Sequence, residues 1–329
     1  METVSPLPLT WIITDAATGH EAQGIAVADA LGFPFNVKRV QVRGVLCWIP
    51  PRLQLHLDPR RLLSFVSSNE PLRPPWPRII LSIGRRSVPI ALALKRLSEP
   101  RAFVVHIQDP KVSARHFDWI AAPQHDGLSG PNVLTTLGAV HRVTPEKIAE
   151  ARRRFAQLIE PLPRPRVTVL LGGQSRAFEF TAEDAARFGA SLAKLARENS
   201  GSLLVTPSRR TAPEAVAALS QAVADVPHYI WDGRGENPYF ALLGFGEAIV
   251  VTEDSVSMVT EAAGTGKPVY VQRLRGRSRR NARFHALMQD AGATRPFNGR
   301  LERWSYTPIN DTQMVANVIR STLGLNRPS

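Results

Sequence analysis

Residues 253–271 read EDSVSMVTEAAGTGKPVYV, and this stretch decides the fold that we predict for the chain. It follows an uninterrupted apolar run at residues 248–252 (AIVVT), which is typical of a strand buried on both faces of a parallel sheet. Acidic and small polar residues then open a helix, Gly264 and Gly266 end it, and Pro268 starts the next strand. The order of strand, helix and strand predicts a Rossmann-like α/β domain.

The start of the helix after Thr252 is a candidate site for a phosphate or diphosphate. Its first turn leaves several backbone N–H groups unpaired, and it follows the carboxyl end of a predicted parallel strand. Glu261 lies about a turn and a half further on, where its carboxylate can accept hydrogen bonds from ribose hydroxyls. The Gly266-Lys267 pair does not belong to a Walker A loop, because Glu261 stands where the first glycine is required and Pro268 where Ser or Thr must follow.

Strands alternate with helices along the rest of the chain, which predicts parallel, doubly wound sheets. The predicted strands are residues 11–14, 35–40, 78–84, 103–107 and 119–122, and then 166–171, 202–206, 228–231, 248–251 and 268–271. A stiff proline-rich linker at residues 160–165 (EPLPRP) lies between the two sets. We therefore predict the α/β class with two Rossmann-like domains facing a cleft, at residues 1–160 and 161–329.

The turn after the first predicted strand, residues 15–24 (DAATGHEAQG), is the candidate site of the first domain. Open α/β sheets bind ligands at this end of their strands, and Gly19 permits a sharp turn or a close approach of backbone. His20 can act as a general base near neutral pH, and Asp15 is an alternative. A simple turn that caps the following helix explains the same residues equally well.

The second domain offers further candidates at the ends of its strands. Gly172 and Gly173 lack the G-x-G-x-x-G pattern of dinucleotide enzymes, but a diphosphate or a sugar can approach their bare backbone. Arg209 or Arg210 can hold a phosphate, and Trp231 can lie against a nucleobase. The purely structural alternatives are a tight turn, a solvated arginine pair and a partly buried core ring.

The composition is that of a soluble globular protein of 329 residues with 43% hydrophobic residues. No apolar run reaches the roughly 18 residues expected of a membrane span. Met1–Pro8 has neither the basic region nor the long apolar region of a secretory signal. Cys47 is the only cysteine, which excludes an internal disulfide and a Cys-based zinc site and fits a cytosolic setting.

The formal net charge of +13 indicates attraction to polyanions. The densest basic run, residues 273–285 (RLRGRSRRNARFH), can bind nucleic acid, hold a nucleotide diphosphate beside the candidate phosphate site, or be a solvated loop. No aromatic residue precedes Phe284 in this run, which disfavours a stacking platform for bases.

Residues 45–63 (VLCWIPPRLQLHLDPRRLL) mix apolar side chains, Trp48 among them, with three arginines at positions 52, 60 and 61. This composition is typical of contact with an anionic membrane, where apolar groups insert and arginines meet the headgroups. An ordinary core helix with a basic outer face is the alternative.

These motifs carry a resemblance to the GT-B glycosyltransferases. The stretch with Glu261 in Thr-Glu-Ala-Ala-Gly and the Gly-Lys-Pro exit resembles their nucleotide-sugar site. The closest type is the lipid-linked N-acetylglucosaminyltransferase of peptidoglycan synthesis. The resemblance implies that Ser257 and Met258 supply backbone contacts to the diphosphate and that Glu261 binds the ribose.

From about residue 10 to 320, the chain more closely resembles the plant "elongated mitochondria" fission-factor family and its bacterial homologues, whose fold is similar to GT-B. The matching pieces are WIITD (11–15) with Gly19 and Gln23, SIGRR (82–86), HIQDP (106–110), LLGG (170–173) and TEDSVSM (252–258). Ala16 and His20 stand where the family has a glycine and a second aspartate in its first turn, which leaves the role of that turn open.

The resemblance implies a metal-independent glycosyltransferase of GT-B type, in the cytoplasm and peripheral to the inner face of the cell membrane. A nucleotide-sugar is then the donor substrate rather than a cofactor, and a lipid or lipid-linked acceptor docks on the first domain. His20, Asp15 or Asp109 deprotonates the acceptor hydroxyl in a direct displacement. The residues expected to bind the donor are Gly172, Gly173, Arg209, Ser255, Ser257, Met258 and Glu261.

Three other functions remain open from the sequence. A nucleotide-sugar epimerase would turn over the donor without an acceptor. A non-catalytic scaffold or membrane adaptor with a GT-B-like fold would bind lipid or protein but no nucleotide. A nucleic-acid binder, which the motifs favour least, would show steep salt dependence and indifference to nucleotide-sugars.

Overall fold

The computed structural model describes residues 9–15 and 17–325 and divides them into two compact units. The first unit extends to Arg142 and resumes at Asn310, and the second is Val143–Ile309. Met1–Pro8, in which we expect no secretory signal, and Ala16, where the first turn departs from the family pattern, lie outside the described residues.

The elements are numbered along the chain in two groups. Up to Arg142 they are β1 (Thr10–Thr14), α1 (Thr18–Leu31), β2 (Phe35–Val42), α2 (Pro51–Gln54), α3 (Pro59–Ser64), β3 (Val66–Ser68), β4 (Ile79–Ile83), α4 (Ser87–Leu97), β5 (Phe103–Ile107), β6 (Trp119–Pro123) and β7 (Val133–Thr136). After it they are α5 (Pro145–Ile159), β8 (Arg166–Leu171), β9 (Phe178–Glu179), α6 (Ala182–Glu198), β10 (Ser202–Pro207), α7 (Pro213–Ala222), β11 (His228–Ile230), α8 (Tyr239–Phe245), β12 (Ala248–Thr252), α9 (Val256–Ala263), β13 (Val269–Gln272), β14 (Arg275–Gly276), α10 (Arg279–Asp290), β15 (Thr294–Pro296) and α11 (Asp311–Leu323).

The described residues of the first unit form a sheet of seven strands in the order β3-β2-β1-β4-β5-β6-β7. Neighbouring strands are parallel, except that β3 runs antiparallel to β2. Side chains of β1 alternate between two cores: Ile12 packs with Leu81 on one face, and Ile13 packs with Ile80 on the other. Both faces are therefore covered, as expected for a doubly wound sheet.

The second unit, described throughout, contains a parallel sheet of six strands in the order β11-β10-β8-β12-β13-β15. β8 lies between β10 and β12, so the chain reverses its winding direction beside β8. Ligands of open α/β sheets bind outside the carboxyl ends of the strands at such a point. The turns after β8 and β12 are therefore the first places to look for a site in this unit.

The compact units differ from the domains predicted at residues 1–160 and 161–329. α5 belongs to the second unit because Phe155 and Ile159 pack with Phe245 of α8. α11 belongs to the first unit because its apolar face packs on the first sheet's core and Arg320 Nη1 donates a 2.6 Å hydrogen bond to the Ala30 carbonyl. The proline-rich linker thus lies inside the second unit. Within the described residues, no helix is both long and apolar enough to cross a membrane.

Candidate functional site

The helix start predicted after Thr252 is present at the carboxyl end of β12. α9 begins at Val256, and the Ser255 hydroxyl caps it by accepting a 3.4 Å hydrogen bond from the Met258 N–H. Among the residues that the structure describes, the N–H groups of Val256 and Ser257 donate to no acceptor. This turn therefore offers free donors to an anion at the positive end of the helix dipole. Of the two expected backbone donors, Ser257 is open and Met258 is engaged by the cap.

Glu261 lies four residues after Ser257, so both side chains project from one face of α9, about 6 Å apart along the axis. Glu261 Oε2 accepts a 2.5 Å hydrogen bond from the Tyr239 hydroxyl of α8, and Oε1 has no hydrogen-bond partner in the described part of the chain. Burial raises the pKa of Glu261 to about 7, although the hydrogen bond from Tyr239 opposes the shift. This face of α9 thus carries a free N–H group and a carboxyl group that titrates near neutral pH.

The raised pKa of Glu261 predicts that this residue destabilises the fold as the pH rises. In the unfolded chain the carboxyl group ionises near 4.5, whereas in the folded protein it keeps its proton up to about pH 7. Folding takes up a proton between these values, so this contribution to stability is lost across that window and is constant above it. We expect the free energy of unfolding of Glu261→Gln to rise relative to that of wild type by up to about 3 kcal/mol as the pH passes from 4.5 to about 7. Glutamine is a fair substitute at this position, because its amide oxygen can still accept the hydrogen bond from Tyr239.

The measurement is thermal unfolding of wild type and Glu261→Gln at half-unit steps of pH. The difference between the two proteins removes the pH dependence that all other ionisable groups contribute equally to both. A difference that stays constant with pH would mean that the Glu261 carboxyl group is not desolvated.

Gly172 and Gly173 pack tightly against a buried carboxylate that the sequence did not single out. Asp254, fully buried, accepts hydrogen bonds from the Gly173 N–H at 3.1 Å and the Thr252 hydroxyl at 2.7 Å. A Cβ on Gly172 would lie 2.0 Å from Asp254 Oδ1, and one on Gly173 would lie 2.0 Å from the Arg210 carbonyl. The Gly172 N–H is also engaged, by the Thr252 hydroxyl. A tight turn therefore accounts for both glycines. Their N–H groups, which we expected to be open to a diphosphate or a sugar, are already hydrogen-bonded.

The two arginines after β10 have different surroundings. Arg210 Nη2 lies 2.7 Å from Asp254 Oδ2, whereas Arg209 is exposed and has no ion pair among the described residues. Lys267, which ends the Gly-Thr-Gly-Lys stretch, donates 2.7 Å hydrogen bonds to the carbonyls of Leu243 and Gly244 at the end of α8. It therefore caps a helix.

The basic run at residues 273–285 lies beside the turn between β12 and α9. His285 Nε2 donates a 2.8 Å hydrogen bond to the Glu253 carbonyl, and Asn281 donates to the same carbonyl and to that of Asp254. Arg275 pairs with Asp184 at 2.8 Å. Part of this run thus holds the turn in place, which agrees with its expected position near the candidate phosphate site.

Asp15 and His20 contact each other at the carboxyl end of β1. His20 Nδ1 lies 2.8 Å from Asp15 Oδ1. The hydrogen bond from His20 lowers the pKa of Asp15 against the effect of burial, so the carboxylate is ionised at neutral pH and can only accept. Nδ1 must then carry the proton, and in the neutral ring Nε2 presents its lone pair. Gly84 (φ +85) makes room, since a Cβ there would lie 2.8 Å from Asp15 Oδ2.

Asp109, the third predicted base, follows β5 at the same edge of the sheet. Burial raises the pKa of Asp109, but hydrogen bonds from the Lys111 N–H (2.8 Å) and ammonium group outweigh it and hold the pKa below its ordinary value. His106, buried in β5, bonds Ser82 Oγ at 3.0 Å, and burial lowers the pKa of His106 to about 3. Asp109 is therefore engaged by a cation, whereas Nε2 of His20 has no partner among the described residues.

Residues 45–63 do not form the single core helix considered above. They contain the end of a 3-10 helix (Gly44–Trp48) and the short helices α2 and α3. Val45, Trp48 and Leu53 are 68%, 89% and 52% exposed, while Leu46 and Leu62 face the core. Apolar side chains thus stand in solvent among the arginines of this segment.

The family model for mitochondrial fission ELM1 matches residues 18–323. The chain belongs to this family. Mitochondrial fission protein ELM1 of Arabidopsis thaliana is 31% identical to this ELM1-family chain over 281 residues, which are 75% of the chain and 64% of the plant protein. The match thus spans less than two thirds of the plant protein's length, and the resemblance inferred from the sequence is confirmed at the level of the family.

Two solved structures share the fold of the ELM1-family chain. The UDP-GlcNAc 2-epimerase of Methanocaldococcus jannaschii has a TM-score of 0.58 at 11% identity, covering 96% of this chain and 99% of that one. MurG of Acinetobacter baumannii has a TM-score of 0.51 at 14% identity, covering 97% and 91%. The predicted α/β fold with two Rossmann-like domains of GT-B type is therefore confirmed, and the fold is similar to those of glycosyltransferases and UDP-GlcNAc epimerases.

Proposed function

We propose that this ELM1-family protein is a glycosyltransferase that takes its sugar from a nucleotide-sugar bound to the second unit. The observation that carries the proposal is the face of α9 on which the free Ser257 N–H and the Glu261 carboxyl group stand a helical turn apart. The N–H groups can donate hydrogen bonds to a diphosphate. Glu261 Oε1 can accept hydrogen bonds from the hydroxyls of the ribose, which is attached to the diphosphate in a nucleotide. The neighbour named for UDP-GlcNAc supports the same class of ligand.

The remaining charge of the diphosphate is assigned to protein groups rather than to a metal. Arg209 is exposed and can turn toward a ligand. Arg210 is held beside the turn after β8 by its ion pair with Asp254. Gly172 and Gly173 act by giving this turn its tight path, because their N–H groups are engaged. Helix termini and guanidinium groups can stabilise a leaving diphosphate without a cation.

The acceptor side of the proposal rests on the first unit. His20 is the general base, with Asp15 holding its Nδ1–H so that Nε2 faces the acceptor hydroxyl. We propose a lipid or lipid-linked acceptor, reached from the cytoplasmic face of a membrane. The exposed Trp48 and Val45 among arginines support such a contact, since apolar groups and cations together bind anionic bilayers.

The donor site predicts a ligand-dependent rise in thermal stability that requires Glu261. A nucleotide at about 100 times its dissociation constant stabilises the native state by about 2.7 kcal/mol, which raises the melting temperature by several degrees. We expect one nucleoside diphosphate and its sugar derivatives to give this shift with wild type and little or none with Glu261→Ala. Glu214→Ala, which removes an exposed carboxylate from the first turn of α7, should behave as wild type.

The outcomes separate the proposal from its rivals. Wild type that no nucleotide stabilises would refute the donor site and favour a scaffold or membrane adaptor. An equal shift in wild type and Glu261→Ala would refute the ribose contact. The likeness to the UDP-GlcNAc 2-epimerase makes an epimerase the second candidate, and it would convert the nucleotide-sugar with no acceptor present.

A further inference from the structure

A recess of about 510 Å³ opens beside Asp15 in the first unit. Asp15 closes one side, and the remaining walls are contributed by β2, β3 and the start of α4. The side chains that line the recess include Arg39, Arg43, Ser68 and Arg86. The volume falls within the roughly 300–1,000 Å³ of small-molecule sites. The recess therefore has room for a ligand next to the Asp15–His20 pair.

The part of the chain that the structure describes balances only some of the charges in the recess. Arg39 is neutralised, because Glu21 accepts two 2.7 Å hydrogen bonds from its guanidinium group. Arg43 and Arg86 are exposed and have no ion pair among the described residues. The Asp15 carboxylate is already bonded to His20. Two guanidinium groups thus face the recess without a counter-ion, and their planar forks match phosphate oxygens.

We propose that the recess binds a phosphate ester, held by Arg43 and Arg86. The inference rests on the proposed function in one respect: the ester is the acceptor, and its hydroxyl reaches Nε2 of His20. Guanidinium groups suit this task better than ammonium groups because they bind two phosphate oxygens at once. The Ser68 hydroxyl, which is buried and has no hydrogen-bond partner among the described residues, is a further donor in the wall.

The surroundings of Arg43 suit a phosphate that carries an apolar tail. The 3-10 helix Gly44–Trp48 starts at the next residue and, at about 2 Å per residue, places Trp48 within roughly 10 Å of Arg43 along the chain. Val45 and Trp48 on this helix are 68% and 89% exposed. The ester can come from a lipid headgroup or from a soluble molecule, and the two sources are separated by experiment.

The first experiment is calorimetric titration of glycerol 1-phosphate into wild type, Arg43→Ala and Arg86→Ala, with a saturating nucleoside diphosphate present to fill any nucleotide site. We expect each variant to bind at least tenfold more weakly than wild type. Arg101→Ala is the matched control, since Arg101 is exposed, unpaired among the described residues and precedes the opposite end of β5. All three arginines are on the surface, so melting temperatures should match.

The second experiment is sedimentation with phosphatidylcholine vesicles that contain phosphatidic acid. Loss of binding in Arg43→Ala and Trp48→Ser, but not in Arg101→Ala, assigns the site to a lipid headgroup. If glycerol 1-phosphate binding depends on Arg43 and Arg86 but vesicle binding is the same in wild type and all variants, the site is assigned to a soluble ester. Equal behaviour of Arg43→Ala, Arg86→Ala and Arg101→Ala in both experiments would overturn the proposal, because attraction by net charge alone treats the three alike.

These measurements do not depend on sugar transfer. A protein that binds the ester through Arg43 and Arg86 but never consumes a nucleotide-sugar would keep this inference and refute the proposed function. Sugar transfer at an unchanged rate in both Arg43→Ala and Arg86→Ala would support the proposed function and refute this inference.

Discussion

Replacing His20 with alanine should lower kcat for sugar transfer by about 10²–10⁴-fold, the usual contribution of a positioned general base. The 2.8 Å contact with Asp15 fixes the ring so that Nε2 is the atom available to take a proton. Asp15→Asn should also lower kcat, because its amide can donate to Nδ1 and so favour the wrong tautomer. In both variants the affinity for the donor should be unchanged, since the donor binds the other unit.

The measurement is release of nucleoside diphosphate from a nucleotide-sugar, with a total polar lipid extract as the pool of acceptors. His56→Ala provides a control, since His56 is exposed in the turn after α2. Asp109→Asn should lower kcat less than His20→Ala, because Lys111 already occupies the Asp109 carboxylate. A fully active His20→Ala protein would remove His20 from the reaction, and a larger loss in Asp109→Asn would transfer the role of base to Asp109.

Much of the fold was predictable because its strands are continuous apolar runs that end in glycine or polar turns. All ten predicted strands are present, and α9 begins after the acidic and small polar residues and ends before Gly264, as predicted. In the described part of the chain, the five strands that the sequence did not predict are β3, β7, β9, β14 and β15, which have two to four residues each, too few to show a period. They depend on tertiary pairing, as in the antiparallel addition of β3 to β2.

The domain boundary and the roles of two residues were not accessible from the sequence. A proline-rich segment normally marks a linker, but here the contacts of α5 with α8 and of α11 with α1 decide the units. Tyr239 lies 22 residues before its partner Glu261, and nothing in its local sequence indicates the hydrogen bond. Asp254 follows a strand as many surface aspartates do, and only the packing of Gly172 and Gly173 reveals its burial.

Asp254→Ala should destabilise the second unit by about 3 kcal/mol, which is the second large effect that we expect. The substitution leaves the buried Gly173 N–H and Thr252 hydroxyl without an acceptor, at a cost of about 1–3 kcal/mol for each such group. The Arg210 side chain is 43% exposed, so water can solvate its charge once the carboxylate is removed. Its lost ion pair therefore adds less to the destabilisation than that of a fully buried arginine would. The loss corresponds to a melting temperature lower by roughly 6–12 °C for a unit of this size.

Thermal unfolding followed by circular dichroism would measure this effect, with Asp290→Ala as the control. Asp290 ends α10, is exposed and has no ion pair among the described residues, so its removal should change stability by less than about 0.5 kcal/mol. The melting temperature of Asp254→Asn should lie between those of wild type and Asp254→Ala. The amide oxygen of the new side chain can accept one of the hydrogen bonds, but its NH₂ group faces the other donor and cannot accept from it. If Asp254→Ala unfolded at the wild-type temperature, the turn after β8 would be held by its backbone alone, and the Gly173 N–H would be free to bind a diphosphate, as the sequence first indicated.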